Sequence, residues 1–253
     1  RVLHYNIPAD RRASPQLFYY CPPWALNWEF RRKLVLREIT SHNADVLCLQ
    51  EVPAAQYDWL AQELGNHGYA GKFLPKTRYS QSAFTTLDGC ATFYRKDRFR
   101  FRECREVKFD ELTMQYLSAK LPPHERPPSG ITRRVMRGNV CLVLALEVST
   151  GTQNKLLCVA NTHLFWDPLC ADVKLLQAWL LLRELSMYYD HAPVILSGDF
   201  NSTPDSSVYE LLVTQTVKRP YPELATATYL PPPSELRHGL PLAEFRDDAL
   251  FGG

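Results

Sequence analysis

Short apolar runs recur along the chain, several of them ending on a polar side chain able to do chemistry. Arg1 to Ile7 alternates, with Val2, Leu3, Tyr5 and Ile7 as its apolar positions, and predicts a strand with Asn6 at its end beside Pro8. Val46 to Glu51, Val140 to Val148, Lys155 to Asn161 and Ala192 to Leu196 read as further strands, the second and third forming a hairpin turned at Gly151. Tyr69 to Phe73, Cys90 to Tyr94 and Glu103 to Phe109 add three more. Asp88-Gly89 reads as a turn, and the four charges Arg95 to Arg98 as a hairpin turn.

Between these runs the spacing changes to that of helices. From Asn27, Phe30, Leu34, Val35 and Ile39 share an apolar side, while Arg31, Arg32, Lys33 and Arg37 form a solvated face or a binding one. Tyr57 to Leu64 predicts a helix capped by Gly65. Asp110 to Lys120, Val173 to Tyr189 and Ser206 to Leu212 predict three others, the second amphipathic through Val173, Leu176, Leu180 and Leu185. Pro22 and Pro23 should keep Cys21 to Trp24 out of a helix. Lys76 to Thr86 reads as a loop, His124 to Ser129 as a flexible insertion, and Lys218 to Gly253 as a weakly patterned, proline-rich tail.

Composition narrows the function classes. At 253 residues and 45% hydrophobic content, the chain can bury one large core or two smaller ones. It has no apolar run of roughly 18 residues, so no membrane span is expected. A net charge of +2 argues against a strongly basic nucleic-acid coat, so a polyanion would be held by a local cleft and its metal ions. Seven scattered cysteines without CxxC pairs favour a reducing compartment over a disulfide framework.

The densest chemistry lies in Ser197 to Pro204, where a strand runs into Gly198-Asp199-Phe200-Asn201. On an extended backbone Asp199 and Asn201 share a face and could serve a phosphate ester and a hard cation. They also suit an Asx-turn that satisfies only backbone groups, and the tetrad alone leaves both readings open. Glu51 continues the face of Leu47 and Leu49, where an uncompensated carboxylate is costly and a metal would relieve it; a solvated strand end is the alternative. His163 lies two residues past Asn161 at another strand end, placed for proton transfer or for a structural role.

Tyr5-Asn6, Leu49-Gln50-Glu51-Val52, Asn161-Thr162-His163-Leu164 and Gly198-Asp199-Phe200-Asn201-Ser202, in this order, resemble the endonuclease/exonuclease/phosphatase superfamily of the DNase I type. Asp88 to Phe93, Trp166-Asp167-Pro168 and Asp172 to Leu175 are similar to its deadenylase branch, which includes the nuclease subunit of the Ccr-Not complex, Angel and nocturnin. The resemblance implies a two-sheet α/β sandwich flanked by helices, and a Mg²⁺ ion (or Mn²⁺) held by Glu51 with Asn6. It implies catalytic roles for His163, Asp199 and Asn201, and substrate contacts at Trp166, Pro168 and Asn139. The function implied is 3′–5′ exoribonuclease action on RNA, in particular poly(A), within a larger deadenylase complex. A cytoplasmic location is implied, with a nuclear or organellar one also open. A 2′,5′-phosphodiesterase or a nucleotide phosphatase of the same superfamily is the alternative.

The resemblance weakens past Val213. The superfamily continues into a Leu-Asp-Tyr-Ile-like strand and a Ser-Asp-His motif, which residues 214–253 do not contain, although they hold Asp247 and Asp248. The expectation is therefore one domain without its C-terminal strands, weakly active or inactive by itself. A nucleotide-binding protein without catalysis is the corresponding alternative.

Overall fold

The computed structural model describes residues 1–9, 13–77, 87–150 and 153–240. In chain order, β1 (Val2–Asn6) leads through α1 (Pro23–Leu26) and α2 (Trp28–Ser41) to β2 (Val46–Pro53), then α3 (Ala54–Asn66), β3 (Tyr69–Pro75) and β4 (Asp88–Arg95). There follow β5 (Phe99–Lys108), α4 (Phe109–Ser118), α5 (Ser129–Val135), β6 (Val140–Thr150), β7 (Gln153–His163), α6 (Ala171–Tyr189), β8 (Val194–Asp199), α7 (Ser207–Thr214) and α8 (Pro222–Thr226). The strands form two four-stranded sheets, ordered β1-β2-β4-β3 and β5-β6-β7-β8. The pairs β1–β2 and β7–β8 are parallel; the others are antiparallel.

Burial explains the strand composition. Val46 and Cys48 of β2 meet Leu142, Leu144 and Val159 between the sheets, while Leu47 and Leu49 face Val35, Ile39, Leu60 and Leu64 of α2 and α3. Cys141, Val143 and Ala145 of β6 face the helical layer built on α6. Central strands covered on both sides must be apolar throughout, and the result is the expected α/β sandwich with helices outside. α6 is buried almost all round, beneath α4, α7 and the tail, so it carries little of the expected amphipathic contrast. Cys48, Cys90, Cys141 and Cys158 are buried free thiols, and burial pushes Cys48 and Cys90 up to about 12. Among the described residues no helix is long and apolar enough to cross a membrane.

Several local expectations differ from the fold. Arg95 to Arg98 is no hairpin turn, since β4 and β5 lie in different sheets; the crossing stacks Tyr94 on Phe101 at 6.5 Å between them. Asp88 and Gly89 are paired in β4, and Gly89 is required by proximity, because a Cβ there would lie 2.1 Å from the Leu74 carbonyl oxygen. α3 runs past Gly65, and Gly68 at φ 85° supplies the left-handed position after it. Pro23 starts α1, where a missing N–H costs nothing. Ser129–Val135, read in part as insertion, is helical. The tail through Leu240 anchors Tyr229, Leu230, Leu236 and Leu240 singly in the α6 core, which leaves no periodic pattern. Residues 78–86 of the expected loop, the Gly151 turn and residues 241–253 with Asp247 and Asp248 lie outside the described residues.

Candidate active site

The two parallel pairs lie against one another, β1 and β2 beside β8, so the carboxyl ends of β1, β2, β7 and β8 open at one edge of the sandwich. A buried polar clasp fixes the sheets there. Gln50 Nε2 donates to Asn161 Oδ1 at 2.7 Å, and Asn161 Nδ2 donates to the Leu49 and Ala91 carbonyls at 3.1 and 3.0 Å. Both side chains are fully buried, so Asn161 works inside the protein and not at a ligand. These bonds tie Gln50 of the first sheet to Asn161 of the second and so favour one register between the layers, although Gln50 Oε1 itself has no partner among the described residues.

Asp199 sits at the centre of the opening. Its Oδ2 accepts from Asn6 Nδ2 at 2.8 Å and lies 3.9 Å from His163 Nε2. Its Oδ1 accepts from the Asn201 backbone N–H at 2.9 Å, which bends the chain into an Asx-turn with Asn201 at φ 48°. Oδ1 thus makes the Asx-turn, while Oδ2 lies on the side of Asn6 and His163. Burial pushes the Asp199 carboxyl up, but the Asn6 amide, the Asn201 N–H, and the charges of His163 and His4 outweigh it and hold it below the usual value. Asn201 Nδ2 donates to the Leu164 carbonyl at 3.0 Å, so its turn is tied to the segment after His163.

Glu51 reaches the site by a route that alternation does not give. The β2–β4 register shifts between Leu49 and Val52, and Glu51 takes φ 57°. This bulge makes Val52, not Glu51, continue the apolar face of Leu47 and Leu49. The nearly buried Glu51 carboxylate accepts from the Ala9 N–H at 3.2 Å through Oε2. Asn6 Oδ1 is buried without a hydrogen-bond partner among the described residues. A carboxylate and an orphaned amide oxygen are hard donors suited to a cation that keeps several waters, and a closed cage of three or more His, Cys, Asp or Glu is absent among the described residues.

Trp166 and Pro168 stand exposed on the segment after His163, with the Trp166 ring tilted against Phe165 at 6.0 Å. Asn139 lies elsewhere: it is 4% exposed, donating to the His163 carbonyl at 2.8 Å and accepting from Gln177 Nε2 at 3.2 Å. Its amide is thus committed to holding His163, which corrects its expected place at the substrate. Gln177 also accepts from the Phe165 N–H at 3.0 Å, and Lys174 Nζ donates to the Asn201 carbonyl at 2.8 Å. These two positioning residues were missed by pattern reading. Their signal is polar character at i and i+3 within an otherwise apolar helix.

Known proteins resemble this chain in sequence and in fold. The chain is 39% identical over 254 residues to carbon catabolite repressor protein 4 homolog 2 of Arabidopsis thaliana, covering 95% of this chain and 42% of that protein. It is 33% identical to the CCR4-Not complex 3′–5′-exoribonuclease subunit Ccr4 of Mycosarcoma maydis, over 85% of this chain and 36% of that subunit. The chain thus spans less than half the length of these relatives. The crystal structure of ANGEL2, a 2′,3′-cyclic phosphatase, superposes with a TM-score of 0.67 at 30% identity, over 85% of this chain and 56% of that one. With residues 3–241 matching its family model, the chain belongs to the Endonuclease/Exonuclease/phosphatase family.

Proposed function

We propose that the chain carries the catalytic site of a divalent-metal-dependent 3′–5′ exoribonuclease that shortens adenosine tracts as part of a larger deadenylase assembly. The observation that carries this reading is the meeting of Asn6, His163 and Asp199 at the carboxyl ends of two parallel strand pairs, with Glu51 one residue past Gln50, the register partner of Asn6. The 3′–5′-exoribonuclease relative supports the reaction class and the assembly.

Glu51 and Asn6 would hold Mg²⁺, or Mn²⁺ in its place. When bound, the ion neutralises phosphate charge and lowers the pKa of water. Asp199, kept ionised by Asn6 and the Asn201 N–H, orients and accepts a proton from the attacking water. His163 donates to a phosphate oxygen, and Asn201 fixes the turn that presents Asp199. Trp166 and Pro168 provide an exposed surface on which a terminal adenine stacks. The likeness to ANGEL2 favours a second reading, a phosphatase acting on RNA with a 2′,3′-cyclic end.

The test is hydrolysis by the full-length protein of 5′-labelled oligo(A), oligo(U), 2′,5′-oligo(A) and an oligo(A) bearing a 2′,3′-cyclic phosphate. Each is run with Mg²⁺, with chelator, and with Glu51→Ala. Stepwise shortening of oligo(A) that needs Mg²⁺ and Glu51 is expected. Equal cleavage of the first three substrates would overturn the adenine preference, and action on the cyclic end alone would select the phosphatase.

A further inference from the structure

Beside the catalytic edge, a cavity of about 230 Å³ opens between the N-terminal ends of α6 and α7, with Pro168, Lys174, Asn201, Ser202, Ser206 and Ser207 in its wall. Lys174 is 7% exposed. One of its ammonium protons goes to the Asn201 carbonyl; among the described residues the other two have no acceptor, and no carboxylate pairs with it. A buried cation without a counter-charge is costly, and an anion in the cavity would offset that cost.

The remaining wall supplies donors of the same kind. Ser206 caps α7 by accepting from the Tyr209 N–H, so the Ser207 and Val208 N–H groups are the first-turn donors without an intrahelical partner. Ser202 and Ser206 direct their hydroxyl protons to the Phe200 and Thr203 carbonyls, and Ser207 donates to Glu223. The donors left over among the lining residues are therefore the Lys174 ammonium and the Ser207 and Val208 N–H groups, the complement of phosphate oxygens. No aromatic side chain lines the cavity, which sets it apart from a base pocket.

We propose that this cavity is a second phosphate site, receiving an internucleotide phosphate of the RNA strand next to the one that is cleaved. Its position in the site follows from shared residues: Asn201 belongs both to the catalytic turn and to the cavity wall, and Pro168 to both the cavity and the exposed Trp166 to Pro168 surface. The ligand's identity as a strand phosphate rests on the nuclease reading above; the existence of an anion site does not.

The experiment measures binding of fluorescent hexa-adenylate to the full-length protein carrying Glu51→Gln, by anisotropy, and of inorganic phosphate by calorimetry. Adding Lys174→Gln is expected to weaken hexa-adenylate binding about tenfold and to lower the salt slope by about 0.7, the share of one phosphate on a single strand. Replacing the phosphates one at a time by methylphosphonate should weaken binding to the Lys174 protein at one position, and that dependence should vanish with Lys174→Gln. Lys174→Arg should retain it. Ser207→Pro removes one N–H at a helix start that accepts proline, since Ser206 already has φ −81° and ψ 158°; it should weaken binding where Ser207→Ala does not. Lys174-dependent phosphate binding without hexa-adenylate binding would sink the nuclease reading and keep the anion site. Phosphate and hexa-adenylate binding that ignore both Lys174→Gln and Ser207→Pro, in variants with an unchanged melting temperature, would overturn the proposal.

Discussion

His163 and Asp199 are register partners across the parallel β7–β8 pair, and Nε2 of the first stands 3.9 Å from Oδ2 of the second. That separation exceeds hydrogen-bond length, so neither side chain is locked to the other. Their relation is set by the backbone instead. The Leu164 N–H donates to the Asp199 carbonyl at 2.9 Å, extending the parallel pairing one step beyond these two residues. Asn139 then fixes the His163 carbonyl from the opposite side.

Gly198 makes this approach possible. It lies at φ 153° opposite Thr162, and a Cβ there would meet the Thr162 carbonyl oxygen at 2.1 Å. Gly198→Ala should therefore separate β7 from β8 and remove activity at least about 100-fold. The strained backbone should cost about 1–3 kcal/mol and the clash more. A urea midpoint and a turnover rate both equal to those of the parent protein would refute this account.

The Asn161 amide satisfies two backbone carbonyls of the first sheet while accepting from Gln50. Asn161→Ala should cost about 2–4 kcal/mol, because it takes a donor from two buried carbonyls and leaves the Gln50 amide with the Cys48 carbonyl alone. Activity should fall in parallel, since the same clasp sets Glu51 relative to His163. Double substitution with Gln50→Leu should cost less than the sum of the two single changes, measured as a double-mutant cycle by chemical denaturation.

The strand ends were legible because a charged or amide residue closing an apolar run is a local signal: Asn6, His163 and Asp199 all stand where alternation put them. Glu51 departs from the alternation expected of it, since its bulge depends on pairing with β4 that a single strand cannot reveal. The crossing of β4 into β5 was misread because a charged turn has the same composition within a sheet as between two. Asn139, Gln177 and Lys174 stand out as polar positions but not as positioning groups, because those roles rest on partners between 12 and 38 residues away in sequence.

Asp172 joins three elements, accepting from Arg134 Nε and Nη2 at 2.5 and 2.8 Å and from the Tyr229 hydroxyl. Burial pushes its carboxyl up, but those hydrogen bonds and the Arg134 charge outweigh it, leaving it below the usual value. The unfolded chain thus takes up this proton more readily than the fold. The contribution of Asp172 to stability is full above the ordinary aspartate value of about 3.9 and is lost as pH falls through the lower folded value. Asp172→Asn should cost about 1–3 kcal/mol at pH 7, and the gap to the parent protein should close as pH falls below about 4 and through the lower folded value. A gap that is constant over this range in urea titrations would exclude Asp172 as an acid-sensitive tie.

Trp166 and Asn139 were both expected at the substrate, yet the first is 54% exposed and the second 4%. Their substitutions should separate accordingly. Trp166→Ala leaves the core untouched, so its melting temperature should stay within about 1 °C of the parent, a surface change being worth under about 0.5 kcal/mol. If adenine stacks there, KM for oligo(A) should rise about 5- to 100-fold, the equivalent of about 1–3 kcal/mol, with a smaller change for oligo(U). Asn139→Ala removes the donor to the His163 carbonyl and leaves Gln177 with a lost partner, so it should lower stability by about 1–3 kcal/mol. It should reduce kcat on every substrate alike, because it acts on the placement of His163 and not on base recognition. Should Asn139→Ala instead raise KM for oligo(A) selectively at unchanged stability, Asn139 would have to reach the substrate, and the interior role drawn from its two hydrogen bonds would fall.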